Sequence, residues 1–220
     1  MKRAIDLISS GLGLIVLSPV FGVLALWIKL DSSGPIFYRG VRVGRHGKAF
    51  RMFKFRSMVQ NADKIGAAST PEDDPRVTRI GSFLRAYKLD ELPQLLNVFK
   101  GEMSLVGPRP QVAWAVELYS PEQKRVLSVR PGITDYASLR FQDEGKILAG
   151  SSDPDKDYLE KIHPEKMRLS LEYVRKQSFW VDCEILARTL VAVVVGSRRR
   201  APRINAESNV PTEIVPHHGN

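Results

Sequence analysis

Leu89-Asp90-Glu91-Leu92-Pro93-Gln94-Leu95 places two adjacent carboxylates where a helix is expected to begin. Asp90 has the type and position of an N-cap, and Pro93 falls in the first turn, where a missing N–H does no harm. Leu92, Leu95, Leu96 and Phe99 then supply an apolar face at three-to-four spacing. The N-terminal end of a helix carries partial positive charge, which stabilises an ionised carboxylate and attracts phosphate. That field suits a reactive Asp90, a metal-binding Glu91 and a phosphorylated substrate. It equally suits an ordinary cap, the default for acids in a first turn.

Cations stand on either side of the pair in sequence. Ile36 to Val43 and Ala49 to Arg56 have the composition of two short strands joined by the glycine-bracketed turn Gly44-Arg45-His46-Gly47-Lys48. Alternation puts Lys54 and Arg56 on the face opposite Phe53 and Phe55, and Lys54 is the cation singled out as a phosphate contact. For the remaining arginines the bland alternative is a solvated or headgroup-facing surface. Aromatics interleaved with cations fit either a nucleic-acid groove or a lipid surface, and the hairpin's place directly after an apolar segment favours lipid over nucleic acid. Downstream, Gly107-Pro108-Arg109-Pro110 is a stiff loop able to aim a guanidinium and backbone N–H groups at a diphosphate, although a surface turn is its default.

The elements that must position these groups begin with an anchor. Leu7 to Ile28 runs 22 residues without an ionisable group, roughly 33 Å as a straight helix and enough for a bilayer core. The run is too long for a cleaved signal peptide and no small-x-small site follows; a buried core helix would be unusually apolar all round. A plain transmembrane span meets two obstacles. Pro19 removes the hydrogen bond to the Ile15 carbonyl and bends the helix, with Ser18 placed to satisfy part of the freed backbone. Lys2 and Arg3 precede the run and seven Lys or Arg residues follow it between Gly34 and Met58 with no acid, so both flanks ask for the cytoplasm. A helix that enters, breaks at Ser18-Pro19 and returns satisfies both.

Composition sets the outer limits. At 220 residues and 43% hydrophobic the chain forms one domain with appendages, and 33 Lys+Arg against 24 Asp+Glu, a net +9, points to an anionic partner. The single cysteine, Cys183, excludes an internal disulfide and a cysteine-built zinc site, and the four histidines show no metal-ligand spacing. Glu72-Asp73-Asp74 is expected in an exposed loop, because the regular ligand spacing of a calcium loop is missing. Short helices are expected over Ser82 to Lys88 and Gln111 to Ser128, and a long helical pattern from about Pro164 to Val195. The end of that pattern, with Trp180 and the Leu190 to Val195 run, suits either a membrane surface or the core.

In combination these stretches resemble the bacterial sugar transferases, also described as monotopic phosphoglycosyl transferases. The resemblance covers roughly Lys2 to Val195. It rests on Lys2-Arg3-x-x-Asp6, Ser18-Pro19, Gly34-Pro35-x-Phe37, Lys54-Phe55-Arg56-Ser57-Met58, the Asp90-Glu91 motif, Met103 to Pro110 and Arg130-Pro131-Gly132-Ile133-Thr134. Each is weak alone; their order and spacing together are specific.

The resemblance implies an α+β fold, mostly helical, with a short β-hairpin, a re-entrant N-terminal membrane helix and amphipathic membrane-surface helices. The implied layout is a membrane anchor over 1–31, a cytoplasmic catalytic domain over 32–197 and a basic, disordered tail over 198–220. The implied activity transfers a sugar-1-phosphate from a UDP-sugar to polyprenyl (undecaprenyl) phosphate with release of UMP, at the cytoplasmic face of the bacterial inner membrane, as a first membrane step in surface glycan synthesis. Asp90 would be the nucleophile that carries a covalent phosphosugar, giving ping-pong kinetics. Glu91 would hold Mg2+ or support Asp90, with Asp90 itself beside the metal. Lys54, Arg109 and Arg140 would offset the charge of the diphosphate.

The chain departs from the family in two places. Asp135-Tyr136 stands where many members have Gly-Trp, and Ser170 stands where many have Asp, so Ser170 is assigned no role. The chain also has the layout of the small members, without their larger relatives' extra N-terminal membrane helices. The sequence leaves open the sugar, the glycan and a homodimer; the segment from Asp135 to Asp157 is where sugar choice is expected. Two rival readings remain: a non-catalytic membrane-tethered protein binding anionic lipid or nucleic acid, and a transferase that works by direct displacement.

Overall fold

The computed structural model describes residues 1–62, 65–67 and 69–199. The expected class is observed: helices dominate, with one antiparallel hairpin and one pair of parallel strands. The element order is α1 (Lys2–Asp31), β1 (Phe37–Val43), β2 (Ala49–Phe55), α2 (Arg79–Ala86), a single 3-10 turn (Leu89–Glu91), α3 (Gln94–Lys100), β3 (Ser104–Val106), α4 (Ala113–Glu117), β4 (Gly132–Thr134), α5 (Tyr136–Arg140), α6 (Glu144–Ile147), α7 (Pro154–Asp157), α8 (His163–Lys176) and α9 (Phe179–Arg199). The tail expected to be disordered lies outside the described residues from 200 onward; its expected start at 198 falls inside α9.

The apolar run forms α1, long and apolar enough to cross a membrane. Its helical pattern continues through Pro19 instead of breaking there. The reason is local: the Ser18 hydroxyl donates at 2.8 Å to the Ile15 carbonyl, the acceptor that Pro19 leaves free. Both ends of α1 are tied to the rest of the chain. Near the start, buried Asp6 accepts from Ser104 Oγ at 2.9 Å and from the Leu105 N–H at 3.0 Å, Arg3 donates to the Val98 and Phe99 carbonyls, and Lys2 pairs with Asp182 at 2.6 Å. Near the end, Leu24 and Ile28 join Phe55, Ile80 and Leu84 in one apolar cluster. Between these anchorages Leu12, Ile15, Val16, Val20, Val23 and Leu26 are exposed.

Arg56 is buried, contrary to the surface expected of the arginines after Lys54. Its guanidinium donates to the Ser32 carbonyl at 2.6 Å and the Ser33 carbonyl at 2.5 Å. These are carbonyls released at the C-terminus of α1, where a cation is favoured.

Three further expectations are corrected. The Gln111 to Ser128 helix is two pieces, α4 and a 3-10 stretch (Gln123–Ser128), separated around Pro121. The long C-terminal helix breaks after Lys176: Gln177 turns extended, and Ser178 restarts the chain as α9 by accepting the Val181 N–H on its hydroxyl and the Asp182 N–H on its carbonyl. Asp74 of the acidic run is buried in a pair with Arg76 at 2.6 Å instead of being exposed. For α9 the two alternatives are combined. Ile185 is buried in the core with Val181 and Leu186 beside it, whereas Trp180 is 78% exposed and Leu190, Val191 and Val193 face outward.

Candidate active site

The hairpin supplies the first cation. Its register pairs Tyr38 with Lys54, Gly40 with Met52 and Arg42 with Phe50, so these six residues share one face. Phe50 and Met52 pack on Val98 and Met103. Asn97 of α3 accepts the Phe53 N–H at 2.8 Å and donates to the Arg51 carbonyl at 2.9 Å, which clips α3 to the free edge of β2. The turn immediately before α3 thereby comes to rest against Lys54.

That turn carries the two acids, and its form differs from the one expected. Asp90 is not a helix cap. It lies within the 3-10 turn Leu89–Glu91, entered through Lys88 at φ +57°, and α3 starts only at Gln94 with Pro93 at its cap position. The helix-end field invoked from the sequence is therefore replaced by side-chain cations. Lys54 Nζ lies 3.0 Å from Glu91 Oε1 and 4.0 Å from Asp90 Oδ2. Arg109 grips both oxygens of Glu91, with Nη1 3.0 Å from Oε2 and Nη2 on Oε1.

Arg109 is delivered by strands that the sequence reading left as loops. β3 and β4 run parallel, pairing Ser104 with Gly132 and Val106 with Thr134. Just beyond β3, Gly107 meets Gly132 so closely that a Cβ on Gly132 would lie 2.1 Å from the Gly107 nitrogen. Only glycine allows that approach, which holds Pro108-Arg109-Pro110 against the Arg130–Pro131 turn. The Val43 N–H then donates to the Gln111 carbonyl at 2.8 Å, binding the end of β1 to the same loop.

Burial and charge set the two acids apart. Asp90 is only 7% exposed, and burial raises its carboxyl above the ordinary range, partly offset by Lys54. Burial acts the same way on Glu91, but the charges of Arg109 and Lys54 outweigh it and hold this carboxyl well below the usual range. The arrangement is one carboxylate clamped by two cations beside a second that Lys54 approaches without hydrogen bonding. Among the described residues no cluster of three or more ligating side chains occurs. Two carboxylates still fit Mg2+, which keeps most of its shell as water and substrate phosphate.

Lys54, the Asp90–Glu91 pair and Arg109 thus come together from three stretches of the chain. Arg140 does not join them by any ion pair or hydrogen bond; it is exposed at the end of α5, where its charge is felt by Glu165. Asp135, at the departure from the family pattern, is fully buried. It caps α5 by accepting the Ser138 N–H at 2.7 Å, and it accepts from Ser170 Oγ at 3.3 Å. Ser170 therefore ties α8 to the cap of α5. The sequence reading missed the position of Arg42 and Tyr38, which share the Lys54 face; strand alternation carried that signal.

The sequence matches the profile described as Bacterial sugar transferase over residues 1–196. It is 40% identical over 194 residues to the UDP-glucose:undecaprenyl-phosphate glucose-1-phosphate transferase of Escherichia coli K12, covering 86% of this chain and 39% of that protein. It is 34% identical to the UDP-N-acetylgalactosamine-undecaprenyl-phosphate N-acetylgalactosaminephosphotransferase of Aeromonas hydrophila, covering 89% of this chain and 44% of that one. The exopolysaccharide production protein PSS of Rhizobium leguminosarum bv. phaseoli is 39% identical, covering 87% of this chain and 94% of that protein. The chain thus spans less than half the length of the first two relatives and nearly the whole of the third.

Proposed function

We propose, from the premise that this chain belongs to the bacterial sugar transferase family, that it transfers a sugar-1-phosphate from a UDP-sugar to undecaprenyl phosphate and releases UMP. The observation that carries the reading is the buried Asp90–Glu91 pair met by Lys54 and Arg109.

An Asp90 oxygen attacks the sugar-bearing phosphorus, and the bond to the nucleotide phosphate breaks with its electron pair leaving on UMP. The phosphate of the lipid then attacks the same phosphorus and frees Asp90. Ionisation is the condition for attack, and Lys54 favours it against burial. Glu91 keeps Lys54 and Arg109 side by side, so the donor's anionic oxygens meet organised cations instead of water. Asp90 and Glu91 would hold Mg2+, which supplies charge neutralisation across the diphosphate when bound.

The anchor fits a monotopic protein on the cytoplasmic leaflet. A helix crossing a bilayer separates its ends by about 30 Å of hydrocarbon, whereas Asp6 near one end and Ile28 near the other both contact the same catalytic domain. The exposed face of α1 and the outward apolar side of α9 supply surface for lipid. On this reading a membrane-bound acceptor meets Asp90 at that surface.

Incubating the purified chain with UDP-sugars labelled in the β-phosphate, without lipid acceptor, tests the covalent step. Label is expected on Asp90 and absent from Asp90→Asn. Turnover on adding acceptor without any label on protein would leave direct displacement as the route, full turnover by Asp90→Asn would remove Asp90 as the nucleophile, and no turnover of any UDP-sugar by wild type would leave a binding module.

A further inference from the structure

Arg42 is a half-buried cation that the reading above does not use. Strand register puts it on the face shared by Tyr38 and Lys54. The next residue, Val43, is hydrogen bonded to Gln111, two residues beyond Arg109, so the loop bearing Arg109 runs directly beside Arg42. The charges of Arg42 and Arg109 act on each other, and the Tyr38 hydroxyl is the group that favours the Arg42 cation. Tyr38 reaches it by folding over Gly40, where a Cβ would lie 2.8 Å from the tyrosine ring.

The charge balance gives this placement its meaning. Lys54 and Arg109 are both paired with Glu91, with Asp90 alongside, so those four groups sum to about zero when both acids are ionised. Arg42 makes no ion pair among the described residues; its recorded acceptor is the neighbouring Val41 carbonyl at 2.9 Å. Two like charges held together under partial burial cost free energy unless an anion joins them. Burial, with Arg109 beside it, already lowers the guanidinium's affinity for its proton.

Resting on the functional reading above, we propose that Arg42, supported by Tyr38, binds the nucleotide-side phosphate of the donor, the group that leaves as UMP. Ion pairs join Asp90, Lys54, Glu91 and Arg109, and the Val43–Gln111 hydrogen bond sets the strand end bearing Arg42 beside the Arg109 loop. A diphosphate with its sugar-bearing phosphorus at Asp90 extends its other phosphate past Arg109 to Arg42. When the bridging P–O bond breaks, the electron pair collects on that phosphate, next to a cation that no carboxylate neutralises. The lipid phosphate, which must approach Asp90, has no need of Arg42.

The test is equilibrium binding of UDP, UMP and a short-chain polyprenyl phosphate to the full chain in detergent with Mg2+, for wild type, Arg42→Ala and Arg42→Lys. Arg42→Ala is expected to weaken UDP and UMP at least about tenfold, the loss of one charge-assisted contact. Arg42→Lys should weaken them less, and polyprenyl phosphate should bind as before. Unchanged UDP affinity in Arg42→Ala overturns the proposal. A loss confined to polyprenyl phosphate overturns the assignment to the donor, and a loss for UDP without UMP overturns the choice of phosphate. If Arg42→Ala does not fold, Arg42→Lys and Tyr38→Phe decide by the same readout. Wild type that binds no UDP would instead sink the functional reading, and this proposal with it.

Discussion

Glu91 Oε1 accepts from Lys54 Nζ at 3.0 Å, while Asp90 Oδ2, on the adjacent residue, lies 4.0 Å from the same nitrogen. One ammonium thus serves two carboxylates unequally, hydrogen bonding the first and approaching the second only by charge. Lys54→Met is expected to lower kcat/KM for the UDP-sugar by about 100-fold, the scale for removing one preorganised electrostatic contact. It should also shift the acid limb of the pH–rate profile. Asp90 is already raised by burial, and Lys54 pulls it back. Without Lys54 the residue ionises at higher pH, so the limb moves upward. An unmoved limb would mean that Lys54 does not set the ionisation of Asp90.

Activity should vanish in excess EDTA and return on addition of Mg2+ if, as proposed, Asp90 and Glu91 hold that ion together with the substrate phosphates. Full turnover in excess chelator would remove the metal from the scheme.

Pro19 is the one residue in α1 that cannot donate a backbone hydrogen bond, and Ser18 compensates at Ile15. Pro19→Ala restores the bond and removes the ring's clash with the Ile15 carbonyl, which should carry one terminus across the bilayer in part of the population. A Lys2→Cys probe in a Cys183→Ser background, labelled from each side of the membrane, reads this directly. The same labelling pattern in Pro19→Ala and the parent would show that Pro19 does not set the topology.

Asp74 and Arg76 fasten the loop before α2, with Arg76 also donating to the Ala62 and Ala67 carbonyls. Hydrogen bonding from Arg76 lowers the Asp74 pKa, against the opposing push of burial. A folded-state pKa below the unfolded one stabilises fully above the unfolded value, about 3.9, and that contribution is lost as pH falls through the folded value. Asp74→Asn leaves Arg76 unpaired and should cost about 3 kcal/mol at neutral pH. The gap in Tm between the variant and wild type should then narrow below about pH 4. A gap independent of pH would show that the ion pair is not its source.

The long apolar helix and the hairpin were legible in the sequence because each is written in neighbouring residues. A 22-residue run without charge, glycines bracketing a turn and alternating aromatics all act over a few positions. Residue type and local pattern singled out Lys54 and the Arg109 loop as phosphate contacts, and the two do meet at Glu91. Local pattern failed at the N-cap, since Asp90-Glu91-Leu92-Pro93 is compatible with either a helix start or the 3-10 turn it adopts. It failed also for Asp74 and Arg56, whose burial depends on residues elsewhere in the chain.

By itself, then, the sequence determined that the chain carries a long apolar helix, that a basic hairpin follows it and that two acids stand side by side ahead of a short helix. The tertiary structure decided which cations reach those acids, that β3 and β4 pair to deliver Arg109, that Arg42 stands beside it and that Arg140 stays apart. The physical reason is range. Periodicity and turn chemistry act within a few residues, whereas Lys54 and Glu91 are 37 positions apart in the chain and Asp6 and Leu105 are 99. Their meeting is set by packing, chiefly by two glycines that let strands touch and one asparagine that clips a helix to a sheet edge.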